Sequence, residues 1–452
     1  MRRPEDAAQD REILRLAVPA FLALVAEPLF LLSDAAVVGH LGTPELAGLG
    51  VAGVVLQTAI GLCVFLAYGT TASVARRIGA GDTRGALTQG IDGVWLAVVI
   101  GALVTVLGVL LTEPLVAAFG PSPAVAEHAT TYLRIAFLGT TPLLVMLATT
   151  GVLRGLQDTR TPLVVAVAGN ALNIVLNVTL VHGVAGWDGL GLAGSAIGSV
   201  LAQVASAAAL LWVVVRGARR TGATLTPDWR GVRAAGRAGV PLVVRTLTLR
   251  AALLVTTYAV TIGATGRDQE VDLATHQLAM TLWTFLAFVL DAIAIAAQAI
   301  TGRHLGAGDV AATRAVTDRM LRWGVVSGVV TGVLLAAASP VLGHLFTSDG
   351  DVLDLLLPVL VVAAVAQPVA GVVFVLDGVL IGAGDGAYLA RAGLLVLALH
   401  APAVLAVALL DGGLVAVWAV FGAVFMGARL AVLVRRARGD AWLVTGVRSL
   451  TP

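Results

Sequence analysis

Ala75-Arg-Arg-Ile-Gly-Ala-Gly-Asp82 recurs as Gly302-Arg-His-Leu-Gly-Ala-Gly-Asp309, and from Gly79 to Gly306 the offset is 227 residues. A second landmark returns at the same offset: Gly151-Val-Leu-Arg-Gly-Leu-Gln-Asp158 is matched by Gly378-Val-Leu-Ile-Gly-Ala-Gly-Asp385. Such elements read as tight turns, in which glycine supplies a positive φ and the aspartate can cap the following helix. Two landmarks at one offset, close to half of a 452-residue chain, divide it into two parallel repeats. The repeats also match near their starts, Ala17-Val-Pro19 against Gly239-Val-Pro241, at a slightly shorter offset of 222.

The segments between the landmarks are apolar. Of all residues 58% are hydrophobic and only 12% charged, with a mean hydropathy of +0.94, which excludes a conventional soluble enzyme. Apolar runs bounded by Gly, Pro or charge fall at about 13–38, 46–74, 86–111, 126–152, 161–182, 190–215, 233–263, 270–301, 312–338, 352–381, 387–410 and 413–434, most of them long enough to cross hydrocarbon. They do not alternate in polarity as barrel strands would. The expected fold is therefore an all-α polytopic membrane protein of twelve transmembrane helices, in two parallel six-helix repeats around a central cavity. The lobes are expected at 1–216 and 233–452, joined by a polar linker at 217–232. The first apolar run lacks a small-residue cleavage site and reads as a retained span. A single cysteine, Cys63, excludes a disulfide within the chain.

Lysine is absent, so arginine alone sets the orientation. Arg2, Arg3, Arg11 and Arg15 precede the first span, Arg76, Arg77 and Arg84 follow the second, and Arg154 and Arg160 follow the fourth. The same face receives Arg216 to Arg237, Arg303 to Arg322, Arg391, and the terminal group Arg429, Arg435, Arg436, Arg438 and Arg448. The alternate loops carry Glu45, Glu113, Asp188, Asp349, Asp351 and Asp354, with Arg134 and Arg267 as their cations. The positive-inside rule then places both termini in the cytoplasm of a cell whose inner (plasma) membrane holds the protein.

Parallel repeats related by an axis along the membrane normal are an architecture of secondary transporters. No phosphate-binding G-x-x-x-x-G-K-[ST] loop and no H-E-x-x-H motif occurs, and the seven histidines are scattered singly. No cofactor, resident metal, nucleic-acid partner or enzymatic activity is expected; the work would be driven by an ion gradient, H+ or Na+. Ionisable groups inside the spans are the candidates, since each costs at least about 2.5–3.5 kcal/mol to insert. They are Glu27 and Asp34 in the first span, Arg245 and Arg250 in the seventh, Asp291 in the eighth and Asp377 in the tenth. Glu27 and Asp34 share a helix face, and Pro19 and Pro28 each favour a bend in the same span. In the fifth span Asn170, Asn173 and Asn177 lie on one face, and Asn177 is at the depth of Asp34. In the second half, Asp291 and Gln298 share a face and Arg245 is at comparable depth, an arrangement that allows a self-neutralising Arg–Asp pair. Asp377 is expected to cap or snorkel near its helix end. The repeat carries Asp34 to Thr256 and Asn173 to His400, so the carboxylate–asparagine set is confined to the first half.

Taken in order, several segments resemble the multidrug and toxic compound extrusion (MATE) transporters, and within them the DinF-like branch. They are Ser33-Asp-Ala-Ala-Val-Val-Gly-His-Leu-Gly42 after Pro19, the two Gly-rich landmarks of the first half, Asn170-Ala-Leu-Asn-Ile-Val-Leu-Asn177, Pro241-Leu-Val-Val-Arg-Thr246, Ala274-Thr-His-Gln277 and Leu290-Asp291. The resemblance implies a monomeric antiporter that exports amphipathic, often cationic small molecules in exchange for H+ or Na+. It also implies that Asp34 is the principal coupling carboxylate and Pro19 the bend of the first helix. Substrate-cavity candidates are Glu27, Arg245, Arg250, Asp291, Gln298 and Gln277. A lipid-linked saccharide flippase of the same superfamily is the alternative, and it would need more cations in the cavity than Arg245 and Arg250. Related proteins often carry Asp where this chain has Asn177, which favours protons over a strongly bound sodium ion. The orientation is open to direct test in a Cys63→Ala background: Asp188→Cys should react with a membrane-impermeant maleimide on intact cells, whereas Thr224→Cys should react only after permeabilisation.

Overall fold

The computed structural model describes residues 4–184 and 187–447; Arg2, Arg3 and Arg448, counted above in the charge asymmetry, lie outside them. Among the described residues there is no strand, and twelve helices are long and apolar enough to cross a membrane. In chain order they are α1 (Ala7–Gly39), α2 (Thr43–Gly79), α3 (Thr83–Leu110), α4 (Pro123–Gly155), α5 (Arg160–His182) and α6 (Leu192–Thr221). The second set comprises α7 (Trp229–Ile262), α8 (Gly266–Gly306), α9 (Val310–Leu345), α10 (Gly350–Gly382), α11 (Gly386–Leu409) and α12 (Gly413–Arg438). Most spans are longer than their apolar cores, because helical hydrogen bonding continues into the polar flanks. Only residues 222–228 are left between α6 and α7, so much of the stretch read as a 217–232 linker is helical.

The four Asp-ended turns share one backbone device. The residue before each aspartate is left-handed: Gly81 (φ 77°), Gln157 (φ 62°), Gly308 (φ 78°) and Gly384 (φ 75°). Three of the aspartates then accept from the backbone of the next helix, Asp82 from Gly85 N (2.7 Å), Asp158 from Thr161 N (3.0 Å) and Asp309 from Ala312 N (2.8 Å). The hydrogen bond from Gly85 N–H, aided by Arg77, holds the Asp82 carboxyl below the usual carboxylate range. The fourth departs from the expected cap, since Asp385 makes no capping bond and instead accepts from Arg436 Nε at 2.6 Å.

The chain divides into two compact units, one of Val18–Gly239 and one of residues up to Ala17 together with those from Val240. The divisions fall inside α1 and α7, each two residues before a matched proline, Pro19 or Pro241, and so at the 222-residue offset of the repeat. Residues before Ala17 belong with the second unit through ion pairs: Asp10 accepts from Arg319 Nε (2.7 Å) and Trp323 Nε1 (2.8 Å), and Glu12 pairs with Arg303 at 2.7 Å.

Within each unit, glycines set the closest helix contacts. A Cβ on Gly151 would lie 2.6 Å from Ala67 O, and one on Gly155 would lie 2.7 Å from Val74 Cβ, which packs α4 tightly on α2. Their repeat equivalents behave alike. A Cβ on Gly378 would lie 2.8 Å from Ala294 Cα, and one on Gly382 would lie 2.8 Å from Gln298 Cα, which packs α10 on α8. Small residues four apart are the usual way for membrane helices to approach, since lipid offers no hydrophobic drive between them. In the first unit Val38, Ala52, Tyr132, Leu133, Phe137, Leu192 and Ala196 form a buried apolar cluster. Leucines and valines such as Leu110, Leu254, Val365 and Leu409 are exposed, as a lipid-facing surface requires. Gly378→Leu and Gly151→Leu should each lower stability by about 1–3 kcal/mol or more through overpacking. Gly53→Ala, which meets nothing within 4 Å, should not, as read by thermal melting of the purified protein.

Candidate functional site

The Asp34 carboxylate is built into the first unit by three neighbouring helices. Asp34 is 3% exposed on α1. Its Oδ2 accepts from Tyr132 OH of α4 at 3.1 Å, and its Oδ1 accepts from Asn177 Nδ2 of α5 and from Ser195 Oγ of α6 at 3.2 Å. Behind this first ring of donors, Asn173 Nδ2 donates to Ser199 Oγ at 3.0 Å, and Asn177 Nδ2 lies 3.4 Å from Asn173 Oδ1. Asn173, Asn177, Ser195 and Ser199 are all buried. Local sequence explains the convergence. Asn173 and Asn177 are four apart, as are Ser195 and Ser199, so each pair shares a helix face. A Cβ on Gly194 would lie 2.6 Å from the Leu180 carbonyl carbon, and one on Gly198 would overlap Asn177 Oδ1. The glycines therefore let α6 close on α5 and bring the serines to the amides.

Every donor to Asp34 is neutral, and among the described residues no arginine or histidine forms an ion pair with it. One acceptor beside it is also unmet, because Asn177 Oδ1 is buried without a hydrogen-bond partner. A carboxylate next to an open amide oxygen, away from water, is chemically suited to binding a proton or a small hard cation.

The remaining predicted residues fall elsewhere. Asn170 is drawn off the cluster and donates to Ala26 O of α1 at 2.6 Å, a tie between the two helices. Pro19 and Pro28 are inside α1, which stays helical through both. Glu27 is exposed and is not among the partners of Asp34. In the second unit Arg245 also meets a carboxylate other than Asp291. Arg245 grips Asp377 with Nε (3.2 Å) and Nη2, and Arg429 Nη2 reaches the same carboxylate at 2.6 Å. Asp377 and Arg429 are buried, so the reading of Asp377 as a cap or snorkelling group is corrected: it is the common anion for two guanidinium groups from α7 and α12. Asp291, half-buried on α8, lies within electrostatic reach of Arg429. Gln298 is buried against α10, whereas Arg250 and Gln277 are exposed.

Sequence reasoning missed Tyr132, Ser195, Ser199 and Arg429. A tyrosine among only four in the chain, inside an otherwise apolar span, was the one available signal for Tyr132. The Ser-x-x-x-Ser spacing was the signal for the serines. Arg429 carried none, because it sits next to a terminal arginine group that reads as topological.

The chain matches the MatE family model over residues 19–179 and 247–405, a stretch in each half. It is 32% identical over 393 residues to Protein DETOXIFICATION 44, chloroplastic, of Arabidopsis thaliana, covering 83% of this chain and 72% of that protein. It is 31% identical over 385 residues to DNA damage-inducible protein F of Escherichia coli, covering 83% and 81%. The fold is that of the Vibrio cholerae MATE transporter VcmN in the bent form, with a TM-score of 0.86, 20% identity and coverage of 98% and 100%. Two six-helix repeats, a buried carboxylate on the first helix and matches to the family model in both halves lead to one conclusion: the chain belongs to the MatE family and is a multi-pass membrane transporter, not an enzyme.

Proposed function

We propose that the protein is a secondary antiporter of the plasma membrane, with both termini in the cytoplasm, which exports amphipathic, often cationic small molecules as a monomer in exchange for protons. The single observation that carries the coupling is the Asp34 carboxylate, buried and met only by the neutral donors Tyr132, Asn177 and Ser195. An ionised carboxylate held by dipoles alone is the group whose state changes most simply when a cation arrives, since no resident cation has to leave. A proton would reside on Asp34 itself; Asn173 and Asn177 set its surroundings, and Asn170 fixes α1 against α5 through Ala26.

Sodium is the second reading, and the open Asn177 Oδ1 favours it, because an amide oxygen beside a carboxylate offers two ligands to a hard cation. One carboxylate with neutral amides supplies little counter-charge for a lasting sodium site, so protons are preferred. The flippase alternative is not favoured. Arg245 and Arg429 are taken up by Asp377, which leaves Arg250 as the other deep cation of the sequence reading, and it is exposed. A permissive substrate range follows from a chain rich in Leu, Val, Ala and Gly with only 5% aromatic residues.

Asp34→Asn should abolish drug efflux from cells while leaving the amount of protein and its melting temperature near those of the parent; full efflux by that variant would refute the assignment. With purified protein in liposomes, substrate should release protons equally with and without sodium. A response that requires sodium would assign the coupling to Na+ in place of H+.

A further inference from the structure

Several arginines near the ends of the spans are matched by a carboxylate: Arg77 by Asp82, Arg303 by Glu12, Arg319 by Asp10 and Arg436 by Asp385. At the C-terminal end of α6 a group of three is not. Among the described residues Arg216, Arg219 and Arg220 form no ion pair, and all three are exposed. Arg216 is three residues from Arg219 and four from Arg220, so the three are neighbours on the helix surface and their like charges repel. The carbonyl end of the helix offsets part of that repulsion, and no carboxylate offsets the rest.

The arginines continue an apolar face. The Arg216 guanidinium carbon lies 5.2 Å from the centre of the Trp212 ring, and Trp212, Val215, Arg216, Arg219 and Arg220 line a recess of about 310 Å³. Leu201, Ala205, Ala208, Trp212, Arg216 and Arg219 recur every three or four residues and so form one stripe along the helix. The stripe is open: Trp212 is 61% exposed and Leu201 47%, and Ala205 and Ala208 between them are exposed as well. From Leu201 to Trp212 the helix rises about 16 Å at roughly 1.5 Å per residue, about half the thickness of a hydrocarbon core. Tryptophan marks the boundary of that core, where its ring sits at headgroup level. The order along α6 is thus apolar track, aromatic ring, cation cluster.

We propose that this face of α6 is a docking site for an anionic phospholipid, with the phosphate held by Arg216, Arg219 and Arg220 and one acyl chain laid along the track from Trp212 to Leu201. Charge complementarity supplies the first half of the match, because guanidinium forks pair with phosphate oxygens and the anion relieves the repulsion among the three cations. The track supplies the second half. A soluble anion would use the arginines alone, whereas a lipid also covers Trp212 and the exposed apolar stripe, and Ala205 and Ala208 leave room for a chain to lie close to the helix. The proposal rests on the membrane-spanning fold and not on the antiport reading.

The test uses the full-length protein in detergent with a limiting mixture of phosphatidylglycerol and phosphatidylcholine, and native mass spectrometry to count the lipids that stay bound. The parent should retain phosphatidylglycerol in preference; equal retention of the two overturns the proposal without any variant. Arg216→Gln/Arg219→Gln/Arg220→Gln should lower the affinity for phosphatidylglycerol at least about tenfold, given a factor of roughly five for each arginine near an anionic surface. Arg230→Gln/Arg233→Gln/Arg237→Gln removes the same charge from exposed positions of α7 and should leave that affinity near the parent's. Equal losses in the two triple variants would make the effect one of general surface charge and overturn the site. Phosphatidylglycerol with brominated acyl chains should quench the fluorescence of the parent more than that of Trp212→Phe; equal quenching would take the chain off the track and overturn the proposal. Displacement of the lipid by inorganic phosphate would likewise overturn it, by assigning the arginines to a soluble anion. Should the α6 triple variant fail to fold, the parent's preference and the Trp212→Phe comparison still decide.

Discussion

In the middle of a bilayer no water is at hand, so each polar atom there must find its partner within the chain. The rest of this structure follows from that constraint. It requires helices, whose backbone groups satisfy one another, and it turns the chain at Asp-ended loops where a left-handed residue and an aspartate absorb the loose ends. It also decides what an ionisable side chain in a span can be: matched by an opposite charge, as Asp377 is by Arg245 and Arg429, or matched by dipoles, as Asp34 is by Tyr132, Asn177 and Ser195.

The two halves apply one plan to different chemistry. Gly151 and Gly155 in the first half, and Gly378 and Gly382 in the second, bring equivalent helix pairs to within backbone contact. At the equivalent polar positions the first half has a carboxylate and amides, while the second has hydroxyls and imidazoles. The repeat thus fixes where polar groups gather, and the side chains at those positions set what they can bind.

The spans and the twofold repeat were legible because each rests on local patterns: apolar length and glycine turns. Asp34 with Asn173 and Asn177 was legible for a related reason, since polar residues at helical spacing stand out against leucine and valine. Tyr132, Ser195 and Ser199 were not, because their role depends on how α4 and α6 rotate toward α1, which is set by glycine contacts that no single segment reveals. The grip of Arg245 on Asp377 was not legible for the same reason. Depth along the helices points to Asp291, and helix rotation adds Asp377 from α10 and Arg429 from α12.

The absence of lysine has a consequence for the ion pairs buried in the second unit. A buried lysine can give up its proton and so become a variable charge, but a guanidinium keeps its proton under all conditions that a protein meets. Arg245 and Arg429 are therefore permanent cations, and their carboxylate Asp377 is obliged to remain an anion as long as the helices stay together. The α7–α10–α12 cluster is thus fixed electrical scaffolding, in contrast to Asp34, which is met by neutral donors.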